Sequence, residues 1–178
     1  QLARHDLHVQ MLEPGAECDL NGVCVTTDSQ HYDNHTCIEH IAPHCISNEN
    51  YRCIADNKSH IVFNGRIHIH PDAQKTLGSM SNKNLLLSSE AAIDSKPELE
   101  IYADDVKCAH GATVGQMDEA ALFYLVSRGV DRETARRMLT QAFAAEILET
   151  VTPPALQSYL ASHVSGRLSP AVPPGAAA

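Results

Sequence analysis

Up to Gly115 the chain is written in short apolar runs broken by Gly, Asn, Asp and Pro. His60-Ile61-Val62-Phe63, Arg66 to Ile69, Leu85-Leu86-Leu87, Leu99-Glu100-Ile101-Tyr102 and Val106 to Val114 are of strand length and rich in Ile, Val and Leu. Turn residues such as Asn64-Gly65 and Pro71-Asp72 bound them. Asn64-Gly65 carries the signature of a tight hairpin turn, although the wide spacing of the later runs leaves room for other connections. No helical stripe of about ten residues separates the runs, which disfavours βαβ units. A sandwich, a barrel or a solenoid of β rungs remains. Periodicity does not choose among them, and no crisp internal repeat singles out the solenoid.

After Gly115 the pattern turns helical. Asp118 is placed to cap a helix through Arg128, with Gly129 ending it in a left-handed conformation. Asp131 caps the next, where Ala135, Met138, Leu139, Ala142, Phe143 and Ile147 fall at three- and four-residue steps as an amphipathic stripe. Thr152 followed by Pro153 reads as an N-cap with proline at the first helical position, opening a third helix that closes near Gly166. The Pro/Gly/Ala-rich end, residues 167–178, is expected to be disordered. The expected organisation is therefore a β core over 1–115, a helical domain over 116–166 and a tail over 167–178.

Composition narrows the function classes. Hydrophobic residues make up 43% of the 178 and charged residues 20%, enough apolar material for a core, while 4% aromatics and no Trp make that core aliphatic. A net charge of −9 argues against nucleic acid and anionic membrane as partners, since both would repel the chain. The apolar runs fall far short of the roughly 20 residues that span a bilayer. The chain starts at Gln1 in what reads as the middle of a strand-rich region, without a signal peptide's basic start and apolar core, so a piece of a longer cytoplasmic protein is expected. Its six cysteines are read as reduced thiols, because a chain with this much apolar residue folds without staples.

Three clusters offer metal chemistry. Asn34 to Cys45 holds His35, Cys37, Glu39, His40, His44 and Cys45; thiolates with imidazoles suit zinc or iron, yet the spacing matches no standard zinc signature. His68 and His70 share one face if their segment is a strand. Cys108 and His110 do likewise, and would give iron two ligands of a set completed elsewhere. No Ser–His–Asp order, phosphate loop or dinucleotide fingerprint is present. Adjacent acids such as Asp104-Asp105 face opposite ways in a strand and cannot form a dyad, and the poverty in aromatics disfavours a carbohydrate-acting solenoid.

Pro97 to Gly115 (PELEIYADDVKCAHGATVG) resembles the signature stretch of the SufB/SufD family of iron–sulfur cluster assembly, on its SufD side. Asp72-Ala-Gln-Lys-Thr76, Asn82 to Leu87, Phe123-Tyr-Leu125, Ser127-Arg-Gly129 and Ala142 to Glu146 resemble that family in the same order. The resemblance implies a right-handed β-helix core followed by a small helical domain. It implies a non-enzymatic scaffold that pairs with SufB through the β-helix and docks the SufC ATPase through helices between Asp118 and His163, with a homodimer as the alternative for the isolated chain. It carries Cys108 and His110 over as ligands of iron and of a transient cluster shared with SufB, and no tightly bound cofactor is expected. Residues 13–53 match only patchily, so their extra Cys and His, like His68 and His70, gain no role from it. The alternative reading is an autonomous His/Cys metal-binding protein or metalloenzyme using His68, His70 and the His35–Cys45 run.

Overall fold

The computed structural model describes residues 1–168. Eight strands, each ten residues long, come first: β1 (Leu2–Met11), β2 (Glu17–Thr26), β3 (His31–His40), β4 (Ile46–Ala55), β5 (His60–Ile69), β6 (Leu77–Leu86), β7 (Ala92–Ile101) and β8 (Lys107–Gln116). Odd strands form one parallel sheet in the order β1-β3-β5-β7, and even strands a second in the order β2-β4-β6-β8. The chain alternates between sheets, so each pair of strands makes one turn of a β-solenoid, about four turns in all.

Register explains why the sequence hides its repeat. In the first turns a residue pairs with the one 29 positions on, as Leu2 with His31, Glu17 with Ile46 and His31 with His60. Ile46 then pairs with Leu77 and His60 with Ala92, so the interval lengthens and drifts. What recurs is polarity at the corners. Gly15, His44 and Lys75 take positive φ at one corner (77°, 61° and 61°), and Asp28 and Asn57 (both 55°) at the other. Backbone bonds stack these corners: His44 N–H donates to the Gln74 carbonyl at 2.8 Å and Lys58 N–H to that of Asp28 at 2.8 Å.

Alternation within strands builds the interior. Ile61, Phe63, Ile67 and Ile69 of β5 point inward and are fully buried, with Tyr51, Cys53 and Met80 around them. The core is aliphatic with one aromatic contact, Tyr51 against Phe63 at 5.0 Å between ring centroids. Asn64-Gly65 is not a hairpin turn; both lie mid-strand in β5. Gly65 faces the core, where an added Cβ would come within 2.9 Å of the Phe63 ring and 2.8 Å of the Met80 sulfur, so glycine serves close packing there. Asp104 and Asp105 sit in the bend between β7 and β8 rather than in a strand. All six cysteines are free thiols.

The chain divides into two compact units, Gln1–Gln116 and Met117–Ala178. In the second, α1 (Glu119–Ser127) is capped by Asp118, whose carboxylate accepts from the N–H groups of Ala120 and Ala121, and Gly129 follows it at φ 91°. Asp131 caps α2 (Arg132–Leu148) by accepting from Thr134 N–H. Its buried line is Ala135, Thr140, Ala144 and Ile147; Met138 is exposed, so the buried face is rotated from the stripe the apolar residues outlined. The third helix, α3 (Pro154–Leu168), starts one residue after Pro153 and runs through Arg167, which the sequence assigns to the tail. The rest of that expected tail, 169–178, lies outside the described residues.

Candidate functional site: a Cys–His pair on the last rung

β8 closes the second sheet and, among the described residues, pairs only with β6. Cys108 stands beside Gly78 and His110 beside Met80. Gly78 and Met80 are buried members of the inward-facing file of β6, so Cys108 and His110 continue that file onto the final rung. No rung stacks beyond it among the described residues. His110 is therefore exposed at an inward register, while Cys108 is half-buried against the edge of the core. Gly78 makes the room: a Cβ there would come within 3.4 Å of the Cys108 sulfur. Burial pushes the Cys108 thiol up, opposed by a backbone hydrogen bond at Gly78.

Alternation thus puts the thiol and the imidazole on one face, the geometry expected of a strand. Neither belongs to any group of three His, Cys, Asp or Glu side chains close enough to hold one ion, among the described residues. The pair supplies two donors of different softness and an open remainder.

The Asn34–Cys45 run does not converge. β3 turns His35, Cys37 and Glu39 outward and His40 inward, where His40 Nε2 meets Ser47 Oγ at 2.8 Å. Cys45 is buried at the corner, its thiol donating to the carbonyls of Glu13 and Pro43, and His44 holds the left-handed corner position. Cys53 lies in the core beside Cys24, whose thiol is pushed up first by its hydrogen bond with Cys53 and then by burial.

Sequence reading missed two features. One is a buried polar seam: Thr36 Oγ1 donates to Glu49 Oε1 at 2.5 Å, and burial raises Glu49 to about 7 against that hydrogen bond. Burial likewise lowers His40 to about 4. The other is that register sets Glu39 beside His68 on the outer face of the first sheet. Hydrogen bonds from Gln10 and His8 hold Glu39 below the usual carboxylate range against some desolvation. The 29-residue interval, visible as His31/His60 or Cys24/Cys53, is the signal that would have found this pairing.

A parallel β-solenoid ending in an open rung with a thiol–imidazole pair, followed by a three-helix unit, is the class of protein defined here. Residues 1–143 match the family model described as SUF system FeS cluster assembly, SufBD core domain, and the chain belongs to the SufBD family. It is 39% identical over 165 residues to the iron–sulfur cluster assembly protein SufD of Escherichia coli, covering 93% of this chain and 39% of that one. It is also 39% identical over 167 residues to an iron–sulfur cluster assembly SufBD family protein of Synechocystis, covering 94% and 37%. The chloroplastic protein ABCI7 of Arabidopsis thaliana is 36% identical over 169 residues, covering 94% and 36%. The chain thus spans under two fifths of the length of these relatives. Among the described residues, no helix is long and apolar enough to cross a membrane.

Proposed function

We propose that this chain is the C-terminal part of a non-enzymatic scaffold subunit for iron–sulfur cluster assembly, working in the cytoplasm within a SufB–SufC–SufD complex. The observation that carries the reading is the position of Cys108 and His110 at the inward register of the last rung, on which no further strand stacks among the described residues. A half-buried thiol beside an exposed imidazole matches the intermediate softness of iron, and two protein donors hold a cluster loosely enough to release it. Iron and sulfide are cargo here, not resident cofactors.

The open edge of β8 presents unpaired backbone donors and acceptors, which a strand of SufB would extend, bringing its own ligands to the two supplied here. Ile101, Tyr102 and Val114, all exposed near this end, would be covered by that pairing. The helices from Asp118 to His163 would dock the SufC ATPase, whose hydrolysis cycle would move the subunits and open the half-site. The β region over 1–115 and the helical region over 116–166 thereby divide the work between cluster and motor.

The test is reconstitution of the full-length subunit with SufB and SufC, comparing wild type with His110→Ala and Cys108→Ala. Iron and acid-labile sulfide per complex are measured alongside gel filtration. An intact complex that loses its cluster supports the ligand roles. An intact, fully loaded complex overturns them and leaves a structural subunit.

A further inference from the structure

The outer face of the first sheet carries a second, separate donor set. β3 and β5 run side by side with Glu39 paired to His68, and His70 lies two residues past His68 on the same face. The two imidazoles stack, 4.4 Å between centroids and 16° between planes. The donor atoms of Glu39, His68 and His70 all lie within 4.8 Å of one another.

How each donor is held separates this set from an ordinary polar face. Glu100 Oε2 on β7 lies 3.2 Å from His68 Nδ1, the arrangement in which an outer carboxylate orients a histidine that ligates through its other ring nitrogen. His70 Nε2 is buried and has no hydrogen-bond partner, standing 3.8 Å from Glu39 Oε2. That gap is too long for a hydrogen bond. Two N/O donors on one tetrahedral zinc lie roughly 3.3 Å apart, so a closure of about 0.5 Å would seat an ion between them. A buried lone nitrogen facing a carboxylate across an ion-sized gap is costly unless something fills it.

A neighbouring set, His8, Cys37 and Glu39, is equally compact and shares Glu39, whose Oε2 accepts from Gln10 Nε2 at 3.0 Å in either set; what distinguishes it is the engagement of Cys37. His8 Nε2 is 3.2 Å from Glu39 Oε1, and the Arg66 guanidinium donates to Cys37 Sγ at 3.5 Å, placing a fixed positive charge where a cation would have to sit.

We propose that Glu39, His68 and His70 form a binding site for one divalent first-row transition ion, with Glu100 as the positioning residue for His68. Two imidazoles and a carboxylate are the donor types that suit zinc(II) and iron(II). The site stands on the opposite sheet from Cys108 and His110, and its occupancy is independent of theirs.

The test titrates the intact chain with cobalt(II) and zinc(II) above neutral pH, following cobalt absorption and calorimetric stoichiometry, with circular dichroism as the fold control. One ion per chain is expected. His68→Ala and His70→Ala, or His70→Gln if alanine unfolds the chain, should weaken binding at least tenfold, and Glu100→Gln should weaken it about 10- to 100-fold. The Cys108→Ala/His110→Ala double variant should bind as wild type does, as should Cys37→Ala. Weak binding of several ions, affinity unchanged in the His68 and His70 variants, or loss confined to Cys37→Ala would each overturn the assignment.

Discussion

The Tyr51 ring lies over Gly22, so close that a Cβ on Gly22 would stand 2.2 Å from Cε1 and 2.6 Å from Cδ1. The two residues are register partners on β2 and β4, and Tyr51 is buried against Phe63. The ring takes the space of the missing side chain on the rung before it, an arrangement that depends on the solenoid's stacking and on nothing local to either residue.

Gly22→Ala should therefore destabilise the β unit by about 1–3 kcal/mol, because the ring is pinned on its far side and must leave its rotamer. Tyr51→Leu in the same chain should recover part of the loss. Urea midpoints of the two single variants and the double variant check this; additive losses would mean the contact is not the cause.

Glu49 and His40 set opposing pH slopes. Glu49 is raised to about 7 from 4.5, so its contribution is fully present below its unfolded value and is lost as pH rises through about 7. His40 is lowered to about 4 from 6.5, so its contribution is present above 6.5 and is lost as pH falls through about 4. Each is on the order of 3 kcal/mol, and between 4.5 and 6.5 the two nearly cancel. Glu49→Gln keeps the acceptor for Thr36 and removes the charge. It should expose the His40 slope, with stability climbing from pH 4 to 6.5. Denaturant titrations across that range check it, and a curve parallel to wild type would refute it.

At the corner shared by Gly15, His44 and Lys75, only the first is glycine, though all three hold positive φ. His44→Gly should relieve left-handed strain and raise stability by about 0.5–1 kcal/mol, part of the gain being lost to a more flexible unfolded chain. Gly15→Ala should lower stability, although its Cβ would meet nothing within 4 Å, because backbone conformation is the constraint. Thermal unfolding of both variants decides.

His110 is exposed, so His110→Ala alone should change stability by no more than about 0.5 kcal/mol, separating any loss of cluster from loss of fold. Cys108 should alkylate more slowly than an unhindered thiol at neutral pH, since burial raises its pKa. Mass spectrometry of iodoacetamide-treated chain reads the rate; reaction at the rate of a free thiol would contradict the half-buried position.

Local chemistry wrote much of this protein openly. Asp118, Gly129 and Asp131 mark helix ends because capping depends on one side chain and the backbone beside it. The strand alternation that puts Cys108 and His110 on one face, and His68 and His70 on another, is a period of two that any reader of the chain can apply. The resemblance of Pro97 to Gly115 brought in the solenoid and the family. Tertiary structure alone decided the rest. Asn64-Gly65 is locally a turn, but in the packed solenoid Phe63 and Met80 need the space of the missing Cβ, and the strand runs straight through. The run from Asn34 to Cys45 looks like one cluster in sequence, yet its pleat sends His40 into the core and Glu39 out to His68. Pairing between rungs is non-local: its interval slips from 29 to 32 as corners lengthen, and only the folded register shows which side chains become neighbours.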